Sequence, residues 1–393
     1  MADPWLHIIG LNEDGLDGLS SLARAALDRA CVVFGAPRHL QLADVGARGQ
    51  AWPVPFSTGP VLAQRGTPVV ILASGDPFWF GAGGSIAQHL DAGEWVSYPA
   101  PSTFALAANL LGWRLEVARC FGLHAAAYAH LAPHLTRGAQ LICLVRDGAA
   151  PAELASWLVE HGAGDAQMHV LECLGGPRQR SRQTSAKEFD LADVQAPVAV
   201  AVEVMQTTAR ARSGGLPDAS FAHDGQITKQ PVRAVTISAL APRQDEVLWD
   251  IGAGSGSISV EWCLAGGRAV AFEAKPARAA NIRANIDRFG LAQQMTVVEG
   301  KVGAELPDAP LPDAMFIGGG ANDALLHALW DHLPQGTRLV INGVTLETEG
   351  LLAQWHGTKG GQLLRMELAH AAPLGTMRGW VPLRPVVQWS VVR

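Results

Sequence analysis

Residues 247–257, Val-Leu-Trp-Asp-Ile-Gly-Ala-Gly-Ser-Gly-Ser, constrain this chain more than any other stretch. An apolar strand runs into Asp250, a glycine turn follows, and a helix is expected to begin near Ser257. Glycines let the backbone come close to a ligand and take angles that other residues resist. A helix start adds free N–H groups and partial positive charge. Further candidate strands lie at 268–273, 295–299, 314–317, 338–342, 363–368 and 386–391, with helical patterns at 276–289 and 323–333 between them. That alternation predicts an α/β architecture, a Rossmann-like seven-stranded and mostly parallel sheet.

The spacing of the glycines narrows the ligand. A dinucleotide motif, GxGxxG, needs its third glycine at position 257, which is Ser257. The glycines stand instead at Gly252, Gly254 and Gly256, separated by Ala253 and Ser255, and there is no phosphate-loop lysine. Glu273 closes the next candidate strand about 20 residues on, where an acid can accept hydrogen bonds from ribose hydroxyls. S-adenosylmethionine has a ribose and no pyrophosphate, and fits both features. The plain alternative is a strand-to-helix turn followed by a surface glutamate.

At roughly 100–200 residues per domain, 393 residues predict two or three domains. With 48% hydrophobic and 17% charged residues, the chain can bury a large core, which excludes disorder. The small, polar, turn-rich stretch 210–218 places a linker at 211–219, between a domain of residues 1–210 and one of 220–393. A net charge of −6 and a pI near 6.1 speak against a nucleic-acid partner. No apolar run reaches the roughly 20 residues of a membrane helix, and the first residues lack the pattern of a secretory leader. Five cysteines, none in a CxxC pair or a zinc spacing, read as reduced, buried thiols of a cytoplasmic protein with no metal centre.

The first domain carries candidate strands at 6–9, 68–73, 140–145, 168–172 and 197–202, with 112–117 joining two halves. The strand Val69-Val70-Ile71-Leu72-Ala73 runs into the turn Ser74-Gly75-Asp76-Pro77, then Phe80-Gly81 and a helical pattern. Gly-Asp-Pro alone marks many plain turns. A glycine-bearing loop at 9–15 and a helix opening at Ser102-Thr103 accompany it.

These motifs carry a resemblance. Asp224-Gly225-Gln226-Ile227-Thr228-Lys229, the loop 250–261 and Phe316-Ile317-Gly318-Gly319-Gly320 resemble the CbiT-type precorrin methyltransferases over residues 220–393. The three N-terminal motifs resemble the CbiE branch of the tetrapyrrole methylases, two α/β halves with a cleft between them, over about residues 4–208. A CbiE-like part followed by a CbiT-like part is the order of the bifunctional decarboxylating precorrin methyltransferases. The resemblance implies two S-adenosylmethionine sites per chain. By position the cofactor contacts are Gly75, Asp76, Phe80, Ser102 and Thr103 in the first, and Thr228, Gly252, Ala253, Gly254, Ser255, Gly256, Glu273 and the backbone of Val302 in the second. Asn12-Glu13 replaces the Gly-Pro usual in the first loop, and Lys301 stands where an acid is common.

The implied reaction methylates C5 and C15 of a precorrin and removes the C12 acetate carboxyl, in cobalamin biosynthesis. C5 falls to the N-terminal domain, C15 and decarboxylation to the C-terminal one. The family is usually oligomeric. No single catalytic residue stands out. An anionic, reduced tetrapyrrole suits cationic forks: Lys229, Arg233 and Arg378 are candidates, Gly318, Gly319 and Gly320 allow close approach, and Arg178, Arg180 and Arg182 form a basic run in the first domain. Each of these charges also reads as a solvated surface group. His124, Trp79 and Phe80 read equally as cleft or packing residues. Rival readings keep the folds but methylate RNA or protein, or bind nucleotide without catalysis. Ser257 disfavours a nicotinamide enzyme.

Overall fold

The computed structural model of the protein describes residues 4–302 and 309–393; Met1–Asp3, part of the segment read for a leader, lie outside them. Internal contacts divide the chain into two units, Met1–Arg210 and Ala211–Arg393.

The first unit holds two five-stranded sheets. One is parallel throughout, in the order Gly49–Ala51, Val32–Gly35, Val69–Ser74, Leu6–Leu11, Trp95–Tyr98. Its central strand, Val69–Ser74, is buried at its first five positions, which is why it reads as an unbroken aliphatic run. The second sheet is mixed, in the order Arg119–Gly122, Gln140–Leu144, Val198–Glu203, Gln167–Glu172, Arg180–Ser185; only its first pair is parallel. Residues 112–117 lie between the last helix before the second sheet and that sheet's first strand, as a connecting stretch would. Gly112 ends the helix Thr103–Leu111 at φ 66°, and turns lead from it into Arg119–Gly122.

The second unit is built on a sheet in the order Met295–Glu299, Arg268–Glu273, Val247–Ile251, Ala314–Ile317, Arg338–Gly343, Val386–Val392, Gln362–Met366. The first five strands are parallel and Val386–Val392 runs against its neighbours. Along Val247–Ile251, Leu248 packs into the core on one face, and Val247, Trp249 and Ile251 into the core on the other. Burying each large side chain contributes about 1.5–3 kcal/mol, and a strand covered on both faces leaves no place for a solvated group. Asp250 is nevertheless fully buried in it.

A two-stranded hairpin, Ala369–Leu374 with Met377–Pro382, went unread in the sequence. Its Trp380 is exposed, so no period-2 burial pattern marks it. Cys143, Cys173 and Cys263 are buried, but Cys31 is exposed and Cys120 half-buried, against the expectation for all five. Cys31 falls between the end of the helix Ser21–Arg29 and the strand Val32–Gly35, outside both core-facing segments. No described helix is long and apolar enough to cross a membrane, and no described group of His, Cys, Asp and Glu could hold a metal ion.

Candidate functional site

In the second unit a cavity of about 590 Å³ opens at the carboxyl ends of the parallel strands, where open α/β sheets place their ligands. It lies at the switch point of the strand order, between Val247–Ile251 and Ala314–Ile317. Gly252, Ala253, Gly254 and Ser255 line it from one strand end, Gly318 and Gly319 from the next. Gly252, Gly254 and Gly256 take φ of 68°, 62° and 71°, the left-handed region that favours glycine. A Cβ on Gly252 would stand 2.8 Å from the carbonyl oxygen of Gly319, so the two loops meet backbone to backbone. Gly256 faces inward instead: its Cβ would strike Ile282 at 2.9 Å, and it caps the helix Ser257–Leu264.

Glu273 is buried, with Oε2 accepting from the Gly254 amide at 2.8 Å and Oε1 from the Lys275 amide at 2.9 Å. It therefore shapes the glycine loop first; an ionised carboxylate keeps further lone pairs for a ligand hydroxyl. Thr228 and Lys229 line the cavity beside Gln226 and Ile227. The opening segment is tied down by Asn285, whose amide bonds both the N–H and the carbonyl of Ala222 and the carbonyl of Ser255. Val302 is half-buried against the apolar cluster around Trp249 and Ile251 and is not among the residues lining the cavity.

Arg233 is not available to a substrate. Its side chain is fully buried over the Phe221 ring and pairs with Glu261 and Asp218; it also bonds the carbonyls of Thr228 and Leu216. Glu261 in turn accepts from the amides of Gly215 and Leu216 at 2.6 and 2.9 Å. Composition marked that stretch as a linker; here it is bound to the helix Ser257–Leu264. Arg378 sits on the hairpin Met377–Pro382, and neither it nor Gly320 lines the cavity.

In the first unit a cavity of about 370 Å³ lies between the two sheets. Phe80, Ser102, Thr103, Trp79 and His124 line it. Ser102 caps its helix by accepting from the Ala105 amide at 3.1 Å. Phe80 holds φ 58°, unusual for a bulky residue, with its ring against Gly122 and Phe104. Gly75 and Asp76 shape the turn rather than the wall. A Cβ on Gly75 would meet Ser102 Cα at 2.8 Å, and Asp76 Oδ1 accepts from the Phe78 amide at 2.9 Å.

The basic run in this unit is also committed. Arg180 and Arg182, two apart on one strand and so on one face, pair with the buried carboxylate of Glu172, and Arg178 with Glu13. Sequence reasoning missed the group beside them. Arg38 pairs with Glu13 and reaches His39 Nε2 and Ser74 Oγ, both at 2.8 Å. Burial, then the charge of Arg38, push the His39 imidazole down to about 4. Glu13 is, with Asn12, one of the two departures in the first loop, and an acid in place of proline is the signal that could have pointed there.

Residues 6–190 match the family described as tetrapyrrole (corrin/porphyrin) methylases, and residues 219–393 the family described as precorrin methyltransferase domain. The chain is 45% identical over 401 residues to a precorrin-6Y C(5,15)-methyltransferase (decarboxylating) of Sinorhizobium sp, covering 99% of this chain and 97% of that protein. A protein of the same name from Mycobacterium tuberculosis is 39% identical over 395 residues, covering 98% and 99%. The crystal structure of the C-terminal domain of precorrin-6Y C5,15-methyltransferase from Rhodobacter capsulatus is 57% identical, covers 47% of this chain and 100% of that one, and gives a TM-score of 0.46. With relatives matched from end to end and the two domain families in the order expected from sequence, the chain belongs to the precorrin-6Y C5,15-methyltransferase (decarboxylating) family.

Proposed function

We propose that each cavity is an S-adenosylmethionine site, and that the chain methylates a reduced, carboxylate-rich precorrin at C5 and C15 and removes its C12 acetate carboxyl, in cobalamin biosynthesis. The observation that carries this reading is a pair of cavities in separate units of one chain, each lined by residues at the carboxyl ends of parallel strands. Their volumes fall within the roughly 300–1,000 Å³ usual for small-molecule sites. When bound, the cofactor supplies an electrophilic methyl group; the protein's task is alignment.

In the second unit Gly252 to Ser255 let the cofactor lie against bare backbone, Glu273 receives the ribose, and Thr228 closes the other side. C15 methylation and decarboxylation take place here. In the first unit Ser102 and Thr103 hold the cofactor and Phe80 walls the cleft for C5 methylation, with Gly75 and Asp76 setting the turn. Lys229 serves the anionic substrate, and Gly318 and Gly319 give it room. Self-association, implied by the family resemblance, and a cytoplasmic location, in keeping with five free cysteines, belong to the same reading.

Titration calorimetry with S-adenosylmethionine tests the pair of sites: two per chain are expected, and one overturns the division. Incubation with cofactor and the reduced precorrin, followed by mass spectrometry, should show a gain of two methyl groups and loss of CO2.

A further inference from the structure

Asn342 stands near the carboxyl end of the strand Arg338–Gly343 and lines the larger cavity. Behind it lie two buried polar side chains, Thr236 and Gln388. The Thr236 hydroxyl donates its one proton to the carbonyl of Val232 at 2.8 Å, so toward any other group it can only accept. It accepts from Nδ2 of Asn342 and Nε2 of Gln388, both at 3.0 Å. Gln388 Nε2 also donates to Asn342 Oδ1 at 2.9 Å. Thr236 thereby dictates which end of each amide faces it, and neither can flip without losing a bond. One N–H and one carbonyl lone pair of Asn342 are left over.

The network is neutral and set before any ligand arrives. The wall of the cavity includes the apolar Val344, Met366, Leu368 and Val386. Three cations also line the cavity, Lys229, Arg278 and Arg384, which can hold the carboxylates that the substrate keeps; Lys229 also pairs with Asp218 and Arg278 with Asp224. A carboxylate gripped by a cation is stabilised as an anion, and that stabilisation is lost as its charge departs, which raises the barrier. A neutral amide places a carboxylate with a smaller penalty, because its N–H stabilises the anion less than a full charge does.

We infer that Asn342 holds the acetate carboxylate that the substrate loses, with Thr236 and Gln388 as its positioning residues; the inference rests on the function proposed above. In the step, the carbon–carbon bond between the acetate methylene and its carboxylate breaks. The electron pair passes into the conjugated macrocycle and CO2 leaves. A proton from water then ends on the former methylene carbon, which becomes a methyl group.

The test measures two products of the full-length protein by mass spectrometry with S-adenosylmethionine and the reduced precorrin. Asn342→Leu should lower the ratio of decarboxylated to methylated product about tenfold, the effect of one net hydrogen bond, with cofactor binding by calorimetry unchanged. Thr236→Val should lower the same ratio by freeing the amide, and Thr236→Ser, which keeps the oxygen, should restore most of it. If Asn342→Leu does not fold, the threonine pair decides alone. A wild-type ratio in folded Asn342→Leu, or in Thr236→Val when that pair decides, overturns the assignment. Wild-type protein that neither methylates nor decarboxylates the precorrin sinks the proposed function itself, whatever the variants do.

Discussion

Nε of Arg233 donates to Oε1 of Glu261 at 2.6 Å, with both side chains out of solvent. The two residues are 28 positions apart, on helices Gln230–Leu240 and Ser257–Leu264. The second of these helices begins at the glycine loop, so the pair fixes the angle at which that loop leaves its strand. A buried pair is tolerated only when further bonds satisfy both groups. Here Asp218 and two carbonyls complete the guanidinium, and two amides complete the carboxylate.

Removing one partner should therefore be costly. Arg233→Met is expected to destabilise the second unit by about 3–5 kcal/mol, because Glu261 is left charged in the core. Scanning calorimetry should show one of two transitions fall. Adding Glu261→Gln should recover part of the loss, since the amide oxygen still accepts one backbone N–H. An unchanged transition in Arg233→Met would mean the pair is not buried in solution.

What could be read in advance follows from how local each cause is. Three glycines at alternate positions after an apolar strand need no distant partner to explain them, and all three hold positive φ. Aliphatic runs such as Val69–Ser74 are legible because burial on both faces leaves no alternative. Arg233 was misread because its burial is decided by Glu261 and Asp218, neither of which its own neighbourhood reveals. The Arg180 and Arg182 side chains likewise depend on Glu172, on the neighbouring strand. Asn342 was invisible for the same reason: its orientation comes from Thr236 and Gln388, 106 and 46 residues away.

The two sites should fail separately. At Gly254 the nearest outside atom to an added Cβ is 3.8 Å away, so an arginine there fits the fold but projects where the ligand would lie, at a φ of 62° that disfavours it. Gly254→Arg is expected to abolish C15 methylation and decarboxylation and to spare C5 methylation. Gly75→Arg collides with Pro101 and Ser102 and should do the reverse. Mass spectrometry of the products distinguishes the two, and loss of both activities in either folded variant would refute the division of labour.

His39 should stay neutral well below the usual imidazole range. Burial and Arg38 hold it near 4 against an ordinary 6.5. A group depressed in this way contributes stability that is present above about 6.5 and is lost as pH falls toward about 4. In a proton NMR titration its ring resonances should not move between pH 7 and 5.5, whereas an exposed imidazole would be mostly protonated at the lower value.

Asp250 should act in the opposite sense. Its carboxyl is fully buried, with Oδ2 bonded to the Ser259 hydroxyl at 2.7 Å and Oδ1 without a partner among the described residues. Burial raises it from 3.8 to about 6. Between those values the folded state binds more protons than the unfolded one, so stability falls as pH rises through that window. A shift of that size corresponds to about 3 kcal/mol. Asp250→Asn has no proton to lose, and its unfolding free energy should lack this part of the decline. Urea unfolding at pH 4, 5, 6 and 7 isolates the effect as the difference in slope between the two proteins. Parallel curves would show that the native carboxyl ionises at its ordinary value, and hence that water reaches the strand end beneath the glycine loop.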